Sequence, residues 1–253
     1  MNSNQGINSG DESWTAMEGT SRGTLITVEG LDGSGKSTLV RNLVSRLGRD
    51  GRKVVVTREP GGPARLEGEY PSVAQILRKV LVEPHALGIT EKLPHEATLF
   101  LFIAARFAHM NATVLPALRE GAVVLCDRFY GSTFAFQLYG LELMSRHNPA
   151  AKRLYLDACS MLPRHPDAYV YLSAPDEVLA ERRRRRTGEQ NHIDRLGPEF
   201  HARVRQGYER FFGLDGALPE LPGIAERLVI GDAALTPEPL ADSVAERLAL
   251  FLG

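Results

Sequence analysis

The chain has 253 residues and a mass of 27.8 kDa, enough for one large α/β domain or two small ones with an ample hydrophobic core. Apolar residues at 43% and charged residues at 24% exclude a disordered chain, and 30 basic against 31 acidic residues leave a net charge of −1, with no global positive field to hold nucleic acid or an anionic membrane. Two cysteines, Cys126 and Cys159, make neither a disulfide framework nor a zinc site and suit a reducing compartment.

In chain order, residues 1–21 are polar and acidic, unlike the basic start and apolar centre of a signal peptide, and read as a flexible N-terminal extension. No uninterrupted apolar run approaches the roughly 18 residues of a membrane span. The expectation is a soluble cytoplasmic enzyme with neither a membrane nor a nucleic acid as partner. Thr24–Val28 is short, β-rich and bounded by glycines, the pattern of a buried strand. Beyond a Gly-rich turn, Leu39, Val40, Leu43, Val44 and Leu47 fall at helical spacing and predict an amphipathic helix over 37–47. Lys53–Thr57 predicts a second buried strand, completing a βαβ unit with parallel strands.

The alternation continues. Helices are predicted over 72–82, 95–119, 149–161, 176–186 and 199–212, and strands over 122–126, 168–172 and 227–230. A last helix starts at Thr236-Pro237, a capping residue followed by proline at the first helical position. Strands alternating with helices predict an α/β fold whose parallel five-stranded sheet is covered by helices on both faces. With no internal repeat and no linker, residues 22–253 read as a single domain.

Gly30-Leu31-Asp32-Gly33-Ser34-Gly35-Lys36-Ser37 matches G-x-x-x-x-G-K-[ST] in full, between a predicted strand and a predicted helix. Gly30, Gly33 and Gly35 let successive backbone N–H groups face a phosphate, and the helix N-terminus adds its partial positive charge there. Lys36 is a mobile cation for the β- and γ-phosphates, and the Ser37 hydroxyl can ligate Mg²⁺. The fold of a P-loop NTPase does not itself choose among GTPases, motor ATPases and small-molecule kinases. The guanine-reading N-K-x-D motif is absent from the sequence. Asp32, a carboxylate set among phosphate-binding groups, suggests a second substrate.

Two strands end in charge. Val123–Cys126 runs into Asp127-Arg128, and the second strand runs into Arg58-Glu59-Pro60-Gly61-Gly62. Ligands of open α/β sheets lie beyond the carboxyl ends of the strands, which places Asp127 near Mg²⁺ and Arg128 near a phosphate. Taken alone, either pair could be a surface salt bridge. Five consecutive arginines, Arg182–Arg186, read either as a solvated helix end or as an arginine-rich lid over the transferring phosphoryl group. Phe102 and Arg106 are i, i+4 neighbours that could stack a base and hydrogen-bond its edge, or could be core plus a snorkelling arginine.

Together VEGLDGSGKST at 28–38, TREPGG at 57–62, LFIAARF at 101–107, CDRFYGSTFAFQ at 126–137 and HPDAYVYL at 165–172 resemble thymidylate kinases of the bacterial type, as does the arginine-rich segment running into Asp194-Arg195. The resemblance implies phosphoryl transfer from ATP to dTMP, giving dTDP and ADP, with Mg²⁺ as cofactor and a homodimer as the assembly. It implies that Gly30, Asp32, Gly33, Ser34, Gly35, Lys36, Ser37 and Thr38 hold the ATP phosphates, with Ser37 and Asp127 near the metal. On the acceptor side, Asp32 and Glu59 would lie at the sugar and phosphate region, and Arg58 and Arg128 would grip the dTMP phosphate. Phe102 would stack on thymine, Arg106 would reach its O4, and Ser132, Thr133 and Gln137 would line the nucleoside pocket. Residues 31–34 carry no Arg or Lys, so a catalytic lid cation must come from about 182–197; Arg184 and Arg186 are chosen, beside Lys36 and Arg128, as catalytic. Phe136 departs from the family pattern, standing where many members have Tyr.

Overall fold

The computed structural model describes residues 23–49, 51–61, 71–143, 150–185 and 196–252. The expected N-terminal extension, the stretch after Gly61, and the greater part of the expected lid with Arg186 and Asp194-Arg195 lie outside the described residues.

Five strands, β1 (Thr24–Gly30), β2 (Val54–Arg58), β3 (Val123–Asp127), β4 (Ala168–Ser173) and β5 (Leu228–Asp232), form one sheet in the order β2-β3-β1-β4-β5. Every pairing is parallel. β1 and β2 are thus parallel, as the βαβ pattern requires, but β3 lies between them. Registers Val28↔Asp127 and Arg58↔Asp127 bring the ends of β1, β2 and β3 to one rim. The central strands are buried almost throughout, so their continuous apolar runs of Val, Leu and Ile face helices on both sides. β2 is an edge strand and leaves Val56 exposed.

α1 (Lys36–Leu47) packs on β1, β2 and β3 and against the last helix, α9 (Pro237–Leu248), where Arg46 pairs with Asp242 at 2.6 Å. α2 (Val73–Val82) begins with a capping box, Ser72 and Gln75 satisfying each other's backbone N–H groups. α3 (His95–His109) continues through a π-helical turn, Met110–Val114, into the short α4 (Leu115–Arg119). This 25-residue helix, His95–Arg119, has the length and composition of a membrane span. Its buried residues, however, join the sheet's core: Leu99, Met110, Val114, Leu115 and Leu118 belong to the single cluster that holds the strands.

After β3 comes a segment that periodicity does not predict as helical. α5 (Tyr130–Thr133) runs into a π-helical stretch, Phe134–Gly140, and nearly every residue of it is buried. α6 (Ala150–Ser160) precedes β4, and α7 (Asp176–Arg184) follows it. α8 (Pro198–Phe212) lies along the Phe134–Gly140 stretch so closely that a Cβ on Gly207 would sit 2.7 Å from Ala135 Cα.

Candidate active site

β1 delivers the phosphate loop to the rim, and close packing explains its first glycine. Gly30 has φ +143°, and a Cβ there would stand 2.8 Å from the Leu172 carbonyl oxygen. Gly35, at φ +95°, caps α1 in the left-handed conformation without a side-chain hydrogen bond, leaving the first-turn N–H groups for an anion. Lys36 Nζ folds back onto the carbonyls of Gly30 (2.9 Å) and Leu31 (2.8 Å). Burial lowers its pKa from 10.5 to about 8, while the carboxylates of Asp32, Asp127 and Glu29 resist that fall. A bound phosphate would supply the missing counter-charge.

The acceptor side starts at Arg128, a non-glycine residue held at φ +72°, the kind of strained position that functional sites retain. Its Nη2 donates to Asp32 Oδ1 at 2.6 Å, and its Nη1 lies 3.1 Å from Ser132 Oγ and 3.2 Å from Tyr208 Oη. The guanidinium stands 5.0 Å from the centre of the Phe136 ring. Burial opposes the charge on Arg128, but Asp32, Tyr208, Asp127 and Glu29 outweigh it and raise the pKa further. Glu29, the penultimate residue of β1, is wholly buried and accepts from the Phe129 N–H (2.9 Å) and from the Ser132 hydroxyl. Burial raises its pKa, against the pull of Ser132 and Arg128.

A second buried array faces the same space. Arg106 Nε donates to Glu59 Oε2 at 2.7 Å, Nη1 to Tyr155 Oη at 3.0 Å, and Nη2 to Thr133 Oγ1 (2.8 Å) and the Phe129 carbonyl (3.1 Å). Burial opposes its charge, yet Glu59 and Tyr155 prevail and raise the pKa well above the ordinary value. Such a guanidinium is a fixed donor array rather than a snorkelling side chain. His109 completes the array, with Nε2 2.7 Å from Thr57 Oγ1 and Nδ1 3.5 Å from Glu59 Oε1.

A cleft of about 660 Å³ unites these parts. Its walls carry Asp32, Gly33, Ser34, Gly35, Lys36, Ser37 and Thr38 on one side, and Arg58, Glu59, Phe102, Arg106, Arg128, Ser132, Thr133, Phe136 and Gln137 on the other. Asp127 lies between them, and Ala233, Leu235, Pro237 and Leu240 close the end beside α9. Gly30 shapes the loop from beneath.

The arginine run divides. Arg182 lines the cleft, its Nη1 4.0 Å from where a Gly35 Cβ would stand. Arg184 is exposed and tied to Glu181, outside the cleft lining. Leu179 on the same helix is buried in the core, and Arg182, three residues on, shares its face, a spacing signal that singles out Arg182. Sequence reasoning also passed over Arg78, which lines the cleft and donates to the Pro60 carbonyl at 2.9 Å, and the Glu29–Tyr208 support of Arg128.

Ser37 Oγ donates to Asp127 Oδ2 at 3.2 Å, while Asp127 Oδ1 is buried with no partner among the described residues. An orphaned carboxylate oxygen beside a hydroxyl at the end of a phosphate loop fits Mg²⁺, which takes few protein ligands and keeps waters and phosphate oxygens. Among the described residues no group of three or more His, Cys, Asp or Glu forms a metal site of its own.

Comparison with known proteins is consistent along nearly the whole chain. The family model for thymidylate kinase matches residues 28–217. A thymidylate kinase of Cereibacter sphaeroides is 36% identical over 235 residues, covering 91% of this chain and 96% of its own. One from Pelotomaculum thermopropionicum is 38% identical over 192 residues, with 74% and 79% covered. The crystal structure of thymidylate kinase from Ehrlichia chaffeensis has the same fold, with a TM-score of 0.60 over 89% of this chain and 98% of that one, at 24% identity. The five-stranded parallel sheet described above shares its fold with the Ehrlichia enzyme, and by the family model and these relatives the chain belongs to the thymidylate kinase family.

Proposed function

We infer that this chain is an ATP:dTMP phosphotransferase working in the cleft between the phosphate loop and Arg128. An oxygen of the acceptor's phosphate forms a bond to the γ-phosphorus as the β–γ bridging oxygen leaves with its electron pair on ADP. A phosphate monoester dianion is already a nucleophile, so the protein's work is positioning and charge neutralisation rather than proton abstraction. The observation that carries the reading is the juxtaposition in one cleft of Lys36, at the loop, with Arg58 and Arg128, at the ends of β2 and β3.

Lys36 and the α1 N-terminus hold the donor phosphates, and Arg58 and Arg128 grip the acceptor phosphate. Phe102 stacks on the base while Arg106, locked by Glu59, presents its edge to the base. Ser132, Thr133 and Gln137 surround the nucleoside. Of the described arginines on α7, Arg182 is the one we assign to the transferring group. Mg²⁺, held by Ser37 and Asp127, supplies charge neutralisation on the donor phosphates when bound.

We also read residues 22–253 as one catalytic domain, acting in a reducing cytoplasmic setting, and the assembly as a homodimer. Val73 and Ile76 on α2 and Phe100 on α3 are exposed, and α2 packs against α3, so this pair of helices carries apolar surface suited to a second copy. Thymidine is the discriminating acceptor for the catalytic reading. Mg²⁺-dependent ADP release should require dTMP and remain at background with thymidine, which offers no phosphate to Arg58 and Arg128. Equal ADP release with and without dTMP would contradict it.

A further inference from the structure

One backbone oxygen collects three donors. The Gly30 carbonyl lies 2.9 Å from Lys36 Nζ, 3.2 Å from Tyr208 Oη and 3.4 Å from Arg128 Nη1. Lys36 belongs to the donor side and Arg128 to the acceptor side; Tyr208 comes from α8, 178 residues beyond Gly30 in the chain. Its hydroxyl is also 2.8 Å from Ser132 Oγ and 3.2 Å from Arg128 Nη1.

Proton placement makes the arrangement directional. Ser132 gives its hydrogen to the buried Glu29 carboxylate, so its oxygen is left to accept. Tyr208 has one hydrogen, shared between Ser132 Oγ and the Gly30 carbonyl, and its lone pairs are open to Arg128 Nη1. Two guanidinium contacts, to Ser132 and Tyr208, therefore fix the Nη1 side of Arg128, while Asp32 fixes the Nη2 side. The ring of Tyr208 cannot drift. It is wholly buried, lies parallel to Phe212 with centroids 6.5 Å apart, and meets Phe136 edge-on at 6.3 Å. Gly207, pressed on Ala135, sets the helix at this depth.

We propose that Tyr208 is a positioning residue for phosphoryl transfer, its hydroxyl holding Arg128 in line for the acceptor phosphate and tying that orientation to the Gly30 carbonyl of the donor loop. The consequence is that the two substrate sites share one hydroxyl. When a triphosphate draws Lys36 Nζ away, the Tyr208 hydroxyl remains on the Gly30 carbonyl, so donor binding and acceptor binding are coupled. The inference rests on the reading of Arg128 as the acceptor-phosphate arginine.

Tyr208→Phe in the full chain tests it, because the change removes one oxygen and keeps the ring. The variant should lose about tenfold to a hundredfold in kcat/KM for dTMP, the effect of one hydrogen bond to a charged group, with KM for ATP within about twofold of the parent. The binding of dTMP, measured with and without a non-hydrolysable ATP analogue, should lose its dependence on the analogue. Phe212→Leu disturbs the same aromatic stack without touching the hydroxyl; it should lower the melting temperature and leave KM for dTMP unchanged. Should Tyr208→Phe unfold, the parent chain still tests the coupling: its affinity for dTMP must change when the ATP analogue is bound, and an unchanged affinity overturns the proposal. Parental kcat and KM for dTMP in Tyr208→Phe would overturn the proposal, as would the same kinetic pattern in Phe212→Leu. Arg128→Ala separates the two claims: if it is inactive while Tyr208→Phe matches the parent, the coupling fails alone, and if it stays active, the reading of Arg128 fails first.

Discussion

Arg128 and Asp32 meet across the mouth of the phosphate loop, Nη2 to Oδ1 at 2.6 Å. One follows β3 and the other follows β1, and those strands pair with Val28 opposite Asp127. The sheet register thus sets a cation from the acceptor side against a carboxylate of the donor loop, and Asp32, unusual among phosphate-binding groups, has its partner.

Arg128→Ala should lower kcat/KM for dTMP by about a thousandfold or more, since charge stabilisation is the main work left to the protein in this chemistry. Folding should survive, because the residue occupies the cleft and not the core. Steady-state kinetics with a denaturation curve checks both halves, and activity within about tenfold of the parent contradicts the role.

Phe136 supports Arg128 from below, its ring centre 5.0 Å from the guanidinium carbon, and lines the cleft. Phe136→Ala removes the ring's shape from the nucleoside pocket. The ratio of kcat/KM for dTMP to that for its ribose counterpart should fall by about tenfold, in the range that one apolar contact can discriminate. An unchanged ratio places sugar selection elsewhere.

Lys36 carries a stability cost with a definite sign. Its folded pKa, lowered by burial to about 8 from 10.5, means the folded state binds fewer protons than the unfolded state between those values. Stability of the nucleotide-free protein therefore rises with pH across that window, and below pH 8 the buried charge costs up to about 3 kcal/mol. Lys36→Met should abolish activity yet stabilise the nucleotide-free protein at pH 7 by about 1–3 kcal/mol, the gain fading toward pH 10. Chemical denaturation at pH 7 and pH 10 measures this, and a destabilised Lys36→Met at pH 7 contradicts it.

Phe100 is exposed on α3, a helix whose buried residues are Leu99, Ala105, Arg106 and His109. Phe100→Glu should shift the chain from dimer to monomer in sedimentation, by setting like charges opposite each other at a two-fold interface. A variant that sediments as the parent does removes this face from the interface.

Much of this arrangement is legible in the residues, and the failures have physical causes. The phosphate loop declares itself because glycine, lysine and serine are required there by backbone geometry and charge. Strand ends at Asp127-Arg128 and Arg58-Glu59 are legible because an apolar run ending in charge has to stop at the rim. The helical stretch from Tyr130 to Gly140 is not. Buried on nearly every side, it shows no polar face and hence no period of 3.6, and glycines punctuate it at 131 and 140. Arg182 and Arg184 look alike in a run of five, and only the phase of α7, set by buried Leu179, separates them. Tyr208 reads as an ordinary core aromatic on an amphipathic helix, because its hydroxyl's partners lie far off in the chain at Gly30, Arg128 and Ser132. The insertion of β3 between β1 and β2 is likewise a tertiary choice that local pattern does not encode.

The most direct test of the account is Mg²⁺-dependent turnover of ATP with dTMP, dUMP, dCMP, dGMP, the ribose counterpart of dTMP, and thymidine offered in parallel, with the diphosphate product identified by phosphorus NMR. The account predicts that dTDP forms from dTMP with the highest kcat/KM of the panel and that thymidine is inert. Preferential turnover of another monophosphate, or ATP binding with no diphosphate formed from any acceptor, would contradict it.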